Sequence, residues 1–138
     1  MIVLDTNVVS ELMNPRGSPT VKSWANSQPR ENLVTTTITQ AEILYGIALL
    51  PEGRRKQKLQ NAARATFDQD FLNKILLFDL DSAEYFAHIA ANRRSQGLPI
   101  SQFDAQIAAI CRAHGATIAT RNVDDFINCR LEIINPWE

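Results

Sequence analysis

Short apolar runs alternate with helix-forming segments along this chain, and this alternation constrains the fold more than any other feature. The runs are too short for helices and suit buried strands; they span residues 1–4, 33–37, 75–78, 117–120 and 131–134. Strands that alternate with helices are typical of a parallel sheet covered by helices. The sequence therefore predicts an α/β fold with a central parallel sheet flanked by helices, and its length predicts one domain over residues 1–138.

The segments between these runs carry helix start and stop signals. Ser18-Pro19 offers an N-cap followed by a proline at the first helical position, and Gly115 suits the position after a helix. A cap residue is followed three positions later by an acid in four places: Thr39 and Glu42, Asp81 and Glu84, Ser101 and Asp104, Asn122 and Asp125. The predicted helices span about residues 7–13, 19–28, 39–50, 52–74, 81–96, 101–114 and 123–126.

Composition and charge exclude few classes of protein. The chain has 14 Lys and Arg against 15 Asp and Glu, a net charge of −1 that argues neither for nor against nucleic acid. It has no signal-peptide pattern and no apolar stretch long enough for a membrane span. Cys111 and Cys129 lack metal-binding spacing, so we expect reduced thiols and a cytoplasmic protein without a membrane partner. His88 and His114 show no ligand spacing and are expected at helix surfaces.

Acidic residues fall at the junctions between predicted strands and helices. Asp5 directly follows the first apolar run, where a carboxylate is costly unless a backbone cap or an external cation satisfies it. Glu42 starts the helix after the second strand and Asp104 starts the helix before the fourth. Because ligands bind beyond the carboxyl ends of parallel strands, we expect these acids to converge at one edge. Each acid alone is also explained by capping, since helix N-termini favour negative charge.

A cluster of carboxylates indicates a hard cation. Converging acids either raise one another's pKa or recruit a metal, and oxygen ligands without His or Cys suit Mg²⁺ or Mn²⁺. The chemistry that fits such a site is hydrolysis of a phosphodiester by a metal-activated water. Thr6 and Thr120 could hydrogen-bond the acids, and Asn7 could fix the turn after Asp5 or cap the helix.

Four stretches together carry a family resemblance that covers essentially the whole chain: VLDTNVVSEL, TTTITQAEILYGI, ISQFDAQIAAICRAHGATIATRNVDDF and INPW. In this order and spacing they resemble the PIN-domain family, and within it the VapC-type and FitB-like toxins of bacterial toxin–antitoxin pairs. The resemblance implies an endoribonuclease that depends on Mg²⁺ or Mn²⁺.

The same resemblance implies which residues form the site. The family's first three acids fall on Asp5, Glu42 and Asp104. Our hypothesis from the residues makes Asp5 and Asp104 the primary metal ligands, and Glu42 either a further ligand or the group that positions the attacking water. The family's fourth position, often Asp, is Asn122 here. Asp125 is therefore our prediction for the fourth catalytic residue, with Asp124 and Asn122 as alternatives.

Partners are implied in the same way. Members of this family tend to form homodimers and to bind a small antitoxin. The antitoxin blocks the acidic site with its C-terminal segment and binds DNA with its other end, so operator DNA is expected only through the antitoxin. RNA is the expected substrate.

Basic and aromatic residues offer weaker signals. The densest basic run spans residues 53–58, and Arg93, Arg94 and Arg121 are further candidates for contact with RNA phosphates. For the run, a solvated helix face is the competing explanation. Arg121 adjoins the predicted acids and is the best candidate for touching substrate or antitoxin. Trp24 and Trp137 are expected to pack in the core or at its rim.

One rival to the nuclease stays open at this stage. Because Asn122 adds no negative charge, the domain could be a catalytically weak module that binds RNA or antitoxin without efficient cleavage. Turnover that depends on a metal would distinguish the two, whereas binding alone would not.

Overall fold

A five-stranded parallel sheet runs through the middle of the molecule. The computed structural model describes residues 1–138 and contains β1 (Ile2–Leu4), β2 (Leu33–Thr36), β3 (Ile75–Leu76), β4 (Thr117–Ala119) and β5 (Ile133–Ile134). The strands lie in the order β3-β2-β1-β4-β5, and every neighbouring pair is parallel. The predicted parallel α/β architecture is therefore confirmed.

Six α-helices connect and cover the strands: α1 (Thr6–Met13), α2 (Pro19–Ser27), α3 (Thr37–Ala48), α4 (Arg54–Ala65), α5 (Leu80–Ser95) and α6 (Gln102–His114). Two short 3-10 turns, Arg30–Asn32 and Val123–Phe126, and a π-helical turn, Thr66–Asp70, complete the regular structure. None of the helices combines the length and the apolar character that crossing a membrane requires.

Local capping signals set several helix ends as predicted. The Ser18 side chain accepts a hydrogen bond from the Val21 amide, with Pro19 at the first helical position. The Ser101 hydroxyl accepts one from the Asp104 amide. Gly115 ends α6 in the left-handed conformation, with φ of 60°, which is strained for other residues.

Of the other three predicted caps, two are wrong and the third, Asn122, lies at the cap position of the Val123–Phe126 turn. The cap of α3 is Thr36, whose hydroxyl accepts from the Thr39 amide, so the helix begins two residues before Thr39. Asp79, rather than Asp81, caps α5 through the Ser82 amide. The side chain of Asn122 makes no capping hydrogen bond. At the first two sites an equivalent oxygen lay two or three residues upstream and met the first helical amides instead.

The predicted helix over residues 52–74 is shorter and ends differently. α4 spans Arg54–Ala65 and continues into the π-helical turn, where the Phe71 amide donates to the Thr66 carbonyl over 2.9 Å. Both Phe67 and Phe71 are buried there, so the wider turn accompanies the packing of two aromatic rings. The strand predicted over 75–78 also ends early, because Leu77 and Phe78 leave the sheet and are exposed.

The core has two layers, one on each face of the sheet. Successive strand residues point to opposite faces, so Val3 and Ile118 pack with α5 and α6, whereas Leu4 and Ala119 pack with α1, α3 and α4. Both faces of the sheet are therefore covered, as is usual for parallel strands. Polar residues are left at the carboxyl edge, where the strands end.

Candidate acidic site

Asp5 lies at the carboxyl end of β1 and caps α1. Its Oδ1 accepts a hydrogen bond of 2.8 Å from the Thr6 amide. Its Oδ2 accepts one of 2.8 Å from the Thr120 hydroxyl and one of 3.3 Å from the Asn7 side-chain amide. Only 3% of its surface is exposed. The predicted hydrogen bonds of Thr6 and Thr120 to the acids are confirmed. Asn7 fixes the turn after Asp5, and its alternative role as the helix cap is wrong because the buried Asp5 carboxylate is the cap.

A second set of hydrogen bonds fixes the loop after β4 against α1. The Thr120 hydroxyl accepts from the Asn122 amide over 3.0 Å, and Asn7 Oδ1 accepts from the Arg121 amide over 3.2 Å. Asp5 is thus held by side chains and backbone from both β1 and β4, two neighbouring strands of the sheet.

Glu42 reaches the site from α3 through Thr6. The Thr6 hydroxyl donates to Glu42 Oε1 over 2.8 Å and lies 3.1 Å from the hydroxyl of Thr39, which is fully buried. Because the Thr6 hydroxyl donates to Glu42, the Thr39 hydroxyl is the donor to Thr6. The acid predicted to close a capping box is therefore oriented by a chain of two hydroxyls.

Asp104 is half-buried in the first turn of α6. Desolvation by burial and the neighbouring charge of Asp125 raise its pKa, while Ser101 and the Arg93 guanidinium act in the opposite direction.

The three acids feel one another's charge. Burial raises the pKa of Asp5 to about 6, hydrogen bonds from Thr120 and Thr6 lower it, and the charges of Asp104 and Glu42 raise it further. Burial and the charge of Asp104 likewise raise the pKa of Glu42. The molecule's one salt bridge joins Lys56 to Glu52, so no basic side chain pairs with these acids. The site is a concentration of negative charge without a salt bridge, and Arg93 offsets it only in part, at Asp104.

Two further acids lie in the 3-10 turn after β4. Asp124 and Asp125 are exposed in the 3-10 turn, whose backbone is closed by a 3.0 Å hydrogen bond from the Asp125 amide to the Asn122 carbonyl. Of the two, Asp125 is the acid whose charge reaches Asp104.

Residues 2–129 match the family model described as PIN domain. The chain belongs to the PIN-domain family. The fold prediction and the family resemblance seen in the sequence are thereby both confirmed.

Relatives of this PIN domain extend over its whole length. It is 39% identical to a protein named VapC ribonuclease Y4jK of Sinorhizobium fredii, over 100% of this chain and 99% of that protein. It is 35% identical to a protein named Toxin FitB of Neisseria gonorrhoeae, over 99% of each. Among solved structures, FitAB bound to an IR36 DNA fragment superposes with a TM-score of 0.92 at 35% identity, covering 100% of this chain and 96% of that one.

The donor set of this PIN domain suits a hard cation. All the acids offer oxygen, both histidines lie on helix surfaces as predicted, and both cysteines are buried in the core layer that contains Val3 and Ile118. No group of three or more Asp, Glu, His or Cys side chains is gathered closely enough to hold a metal by itself. Such a set fits Mg²⁺, which usually takes one or two protein carboxylates and fills its other positions with water or substrate phosphate.

Arg93 lies near Asp104, but it does not have the role predicted from the sequence. It was predicted as a surface contact for RNA, but it is buried and donates to three backbone carbonyls: Leu98 over 2.6 Å, Asp125 over 2.9 Å and Ile127 over 2.8 Å. One signal pointed this way, because Arg93 follows the buried Ile89 by one helical turn. Arg94 is exposed.

A groove leads from the acids towards the basic run. It has a volume of about 960 Å³, is walled by α1, α3 and α4, and extends from Thr6 and Glu42 to Arg55 and Lys58. Two residues of the run therefore line a surface continuous with the acidic site. Lys56 instead pairs with Glu52, and Arg54 is exposed.

Proposed function

We propose that this PIN domain is an endoribonuclease that depends on Mg²⁺ or Mn²⁺ and acts as the toxin of a toxin–antitoxin pair. The observation that carries the proposal is the buried carboxylate of Asp5, whose raised pKa and neighbouring acids have no basic partner in the protein. An uncompensated buried acid in a cleft is typical of a functional site. Relatives over the whole chain named as a VapC ribonuclease and a toxin support the class of activity.

In this proposal Asp5 and Asp104 would hold the divalent cation, and Glu42 would hold and orient the attacking water. Asp125 would supply the fourth acid in place of Asn122, since its charge reaches Asp104. When bound, the cation would lower the pKa of a water and offset charge that develops on the phosphodiester. Thr6 would keep the Glu42 oxygen in a fixed direction, and Thr120 would do the same for Asp5.

The proposed partners follow from surfaces beside the site. The groove between Glu42 and Lys58 would accept RNA during cleavage and the C-terminal segment of an antitoxin during inhibition. The antitoxin would bring operator DNA, in keeping with a similar structure described as FitAB bound to a DNA fragment. Leu44, Tyr45 and Leu49 expose an apolar face on α3 that suits a second copy of the chain. Unpaired cysteines suit a cytoplasmic location.

A second candidate is a catalytically weak module that binds RNA or antitoxin. The observation that favours it is the exposed Asn122 at the fourth acid position, whose side chain makes no capping hydrogen bond and adds no charge. This candidate predicts binding without turnover.

The deciding experiment is cleavage of single-stranded RNA by the purified protein, freed of any partner, with Mg²⁺, Mn²⁺ or EDTA. We expect cleavage only with metal, and a loss of at least about 100-fold in Asp5→Asn because a metal ligand is removed. The matched control is Asp68→Asn, an exposed acid on the π-helical turn, which should cleave like the wild type.

A readout besides activity is the melting temperature. Mg²⁺ should raise it for the wild type and not for Asp5→Asn, since a ligand that binds only the folded state stabilises it. Stabilisation by metal without cleavage would favour the binding module. Cleavage that persists in EDTA or in Asp5→Asn would overturn the proposal.

A further inference from the structure

Arg121 has a backbone that is fixed beside the acidic site. It follows Thr120, whose hydroxyl donates to Asp5, and its own amide donates to Asn7 Oδ1 over 3.2 Å. Because Asn7 also donates to Asp5, the start of the Arg121 side chain is tied to the same network as the buried carboxylate.

The guanidinium of Arg121 does not join that network. Its Cζ lies 5.1 Å from the centroid of the Trp137 ring, in a cation–π contact. The side chain forms no salt bridge, and only the backbone amide of this exposed residue takes part in hydrogen bonding. The Arg121 charge is therefore held on the Trp137 ring and forms no ion pair with an acid.

Trp137 is held in place independently of Arg121. Its half-buried side chain packs against the core layer that contains Leu4 and Ala119, and its amide donates to Asn135 Oδ1 over 3.0 Å. Pro136 is buried beside it. The ring is therefore a fixed platform rather than a flexible neighbour.

Stacking occupies one face of the guanidinium and leaves its edge free. The five N–H donors point outward in the guanidinium plane, and their fork matches two oxygens of a phosphate. The other stacked arginine provides a contrast: Arg112 lies 4.8 Å over Tyr85 but spends a donor on the Cys129 carbonyl over 3.2 Å, which makes it a packing residue. Arg121 keeps all its side-chain donors.

We propose that Trp137 is a positioning residue that holds Arg121 at the rim of the acidic site, where the free edge of the guanidinium binds a phosphodiester next to the one that is cut. The stacking also keeps the positive charge off the acids, which stay available for a cation. This inference rests on RNA being the substrate, as proposed above. A carboxylate of a protein partner is the competing ligand for the same edge.

The test measures RNA binding rather than cleavage. A short fluorescein-labelled single-stranded RNA is titrated in EDTA at several salt concentrations, and affinity is read by fluorescence anisotropy. In Arg121→Gln the slope of log K against log salt should fall by about 0.7, the value for one phosphate contact on a single strand, which is about fivefold in affinity at 0.1 M salt. The control variant Arg30→Gln removes the same charge directly before β2, at the amino end of the strands. It should leave the slope unchanged.

The role of Trp137 is tested by a double-mutant cycle. Trp137→Leu should weaken binding by about three- to fivefold in the wild type but by less than about twofold in the Arg121→Gln background, because it acts through Arg121. Trp137→Phe keeps an aromatic face and should retain most of the affinity. This variant also keeps the test decisive if Trp137→Leu folds poorly.

Several outcomes would overturn the inference. A slope unchanged in Arg121→Gln, or no RNA binding by the wild type, would remove the phosphate contact and leave a partner's carboxylate as the ligand. Equal losses from Trp137→Leu in both backgrounds would make the ring a packing or stacking group. A protein that binds RNA with an Arg121-dependent slope but never cleaves it would refute the nuclease and leave the phosphate contact of Arg121 standing.

Discussion

Asp5 and Arg93 are the two charged side chains that the fold buries, with 3% and 4% of their surfaces exposed, and neither has an ion-pair partner. Arg93 donates to three backbone carbonyls from two segments that it holds together. Asp5 accepts three hydrogen bonds, yet burial and neighbouring acids still raise its pKa to about 6.

The difference in hydrogen bonding indicates that Arg93 is a structural charge, whereas Asp5 has the properties of a functional one. The donors of Arg93 are matched by carbonyl acceptors, so its burial joins the loop before α6 to the turn that carries Asp125. The charge of Asp5 remains disfavoured in the folded state, and more negative charge lies beside it. A fold that retains such a cost at one edge of its sheet is typical of a binding or catalytic site. Removing each charge should therefore change stability in opposite directions.

The largest effect is expected for Arg93→Met, which keeps much of the side-chain volume and removes the donors. Three part-buried carbonyls lose a charged donor, at about 1.5–3 kcal/mol each before water replaces it, so we expect the free energy of unfolding to fall by about 4 kcal/mol. Urea denaturation at pH 7 measures this. Arg94→Met, the exposed neighbour on the same helix, should change it by less than about 0.5 kcal/mol. Equal effects for the two variants would contradict the structural role of Arg93.

Asp5→Asn should act the other way in metal-free protein. The rise in pKa from 3.8 to about 6 corresponds to about 3 kcal/mol of lost stability at pH 7, and Asn removes the charge while keeping the shape. We expect a gain of up to about 3 kcal/mol in the same urea experiment in EDTA. A loss comparable to that of Arg93→Met would mean that the carboxylate stabilises the fold, and the contrast would disappear.

The pH dependence provides a sharper version of this contrast. Because the pKa of Asp5 is higher in the folded than in the unfolded state, the folded protein binds more protons between pH 3.8 and about 6. Stability from this group is therefore fully present below pH 3.8 and is lost as pH rises through about 6. The difference in unfolding free energy between wild type and Asp5→Asn, measured in EDTA across this range, isolates the group. A flat difference would show that the pKa is not raised.

The smallest effect is expected for Thr120→Val. Removing the hydroxyl takes away a donor that lowers the pKa of Asp5 and an acceptor for the Asn122 amide, at about 1 kcal/mol. The fall in stability with pH should then extend to higher pH than in the wild type. Thr120→Ser keeps the hydroxyl and should behave like the wild type. If both variants shift the curve equally, the methyl group rather than the hydrogen bond is responsible.

Much of the fold could be predicted because its signals are local. The period of the apolar residues and the caps at Ser18 and Ser101 depend on neighbours within a few positions, and the parallel sheet follows from the order of strands and helices. The nearness of Asp5, Glu42 and Asp104 also follows from that order. Asp5 ends β1 and Glu42 lies on the helix after β2, whereas Asp104 opens the helix that leads back to the start of β4.

The features that escaped prediction depend on distant residues. The hydroxyl of Thr39 hydrogen-bonds to the hydroxyl of Thr6, 33 residues away, and does not cap the helix as its local sequence suggests. The turn that carries Asp124 and Asp125 is placed by Arg93, whose hydrogen bonds bridge more than 30 positions. The sequence already favoured Asp125 by its spacing from Asn122, and the role of Asp125 as the fourth acid stays a prediction.

The hydrogen bond between Thr120 and Asp5 joins residues 115 positions apart, and β1 pairs with β4 as well as with β2. A ribosome makes the N-terminal part first, so Asp5 and Glu42 emerge long before the strand that completes their surroundings. Until residue 120 has been added, the nascent chain has no finished acidic edge. The topology therefore delays completion of the acidic site until most of the chain has been translated.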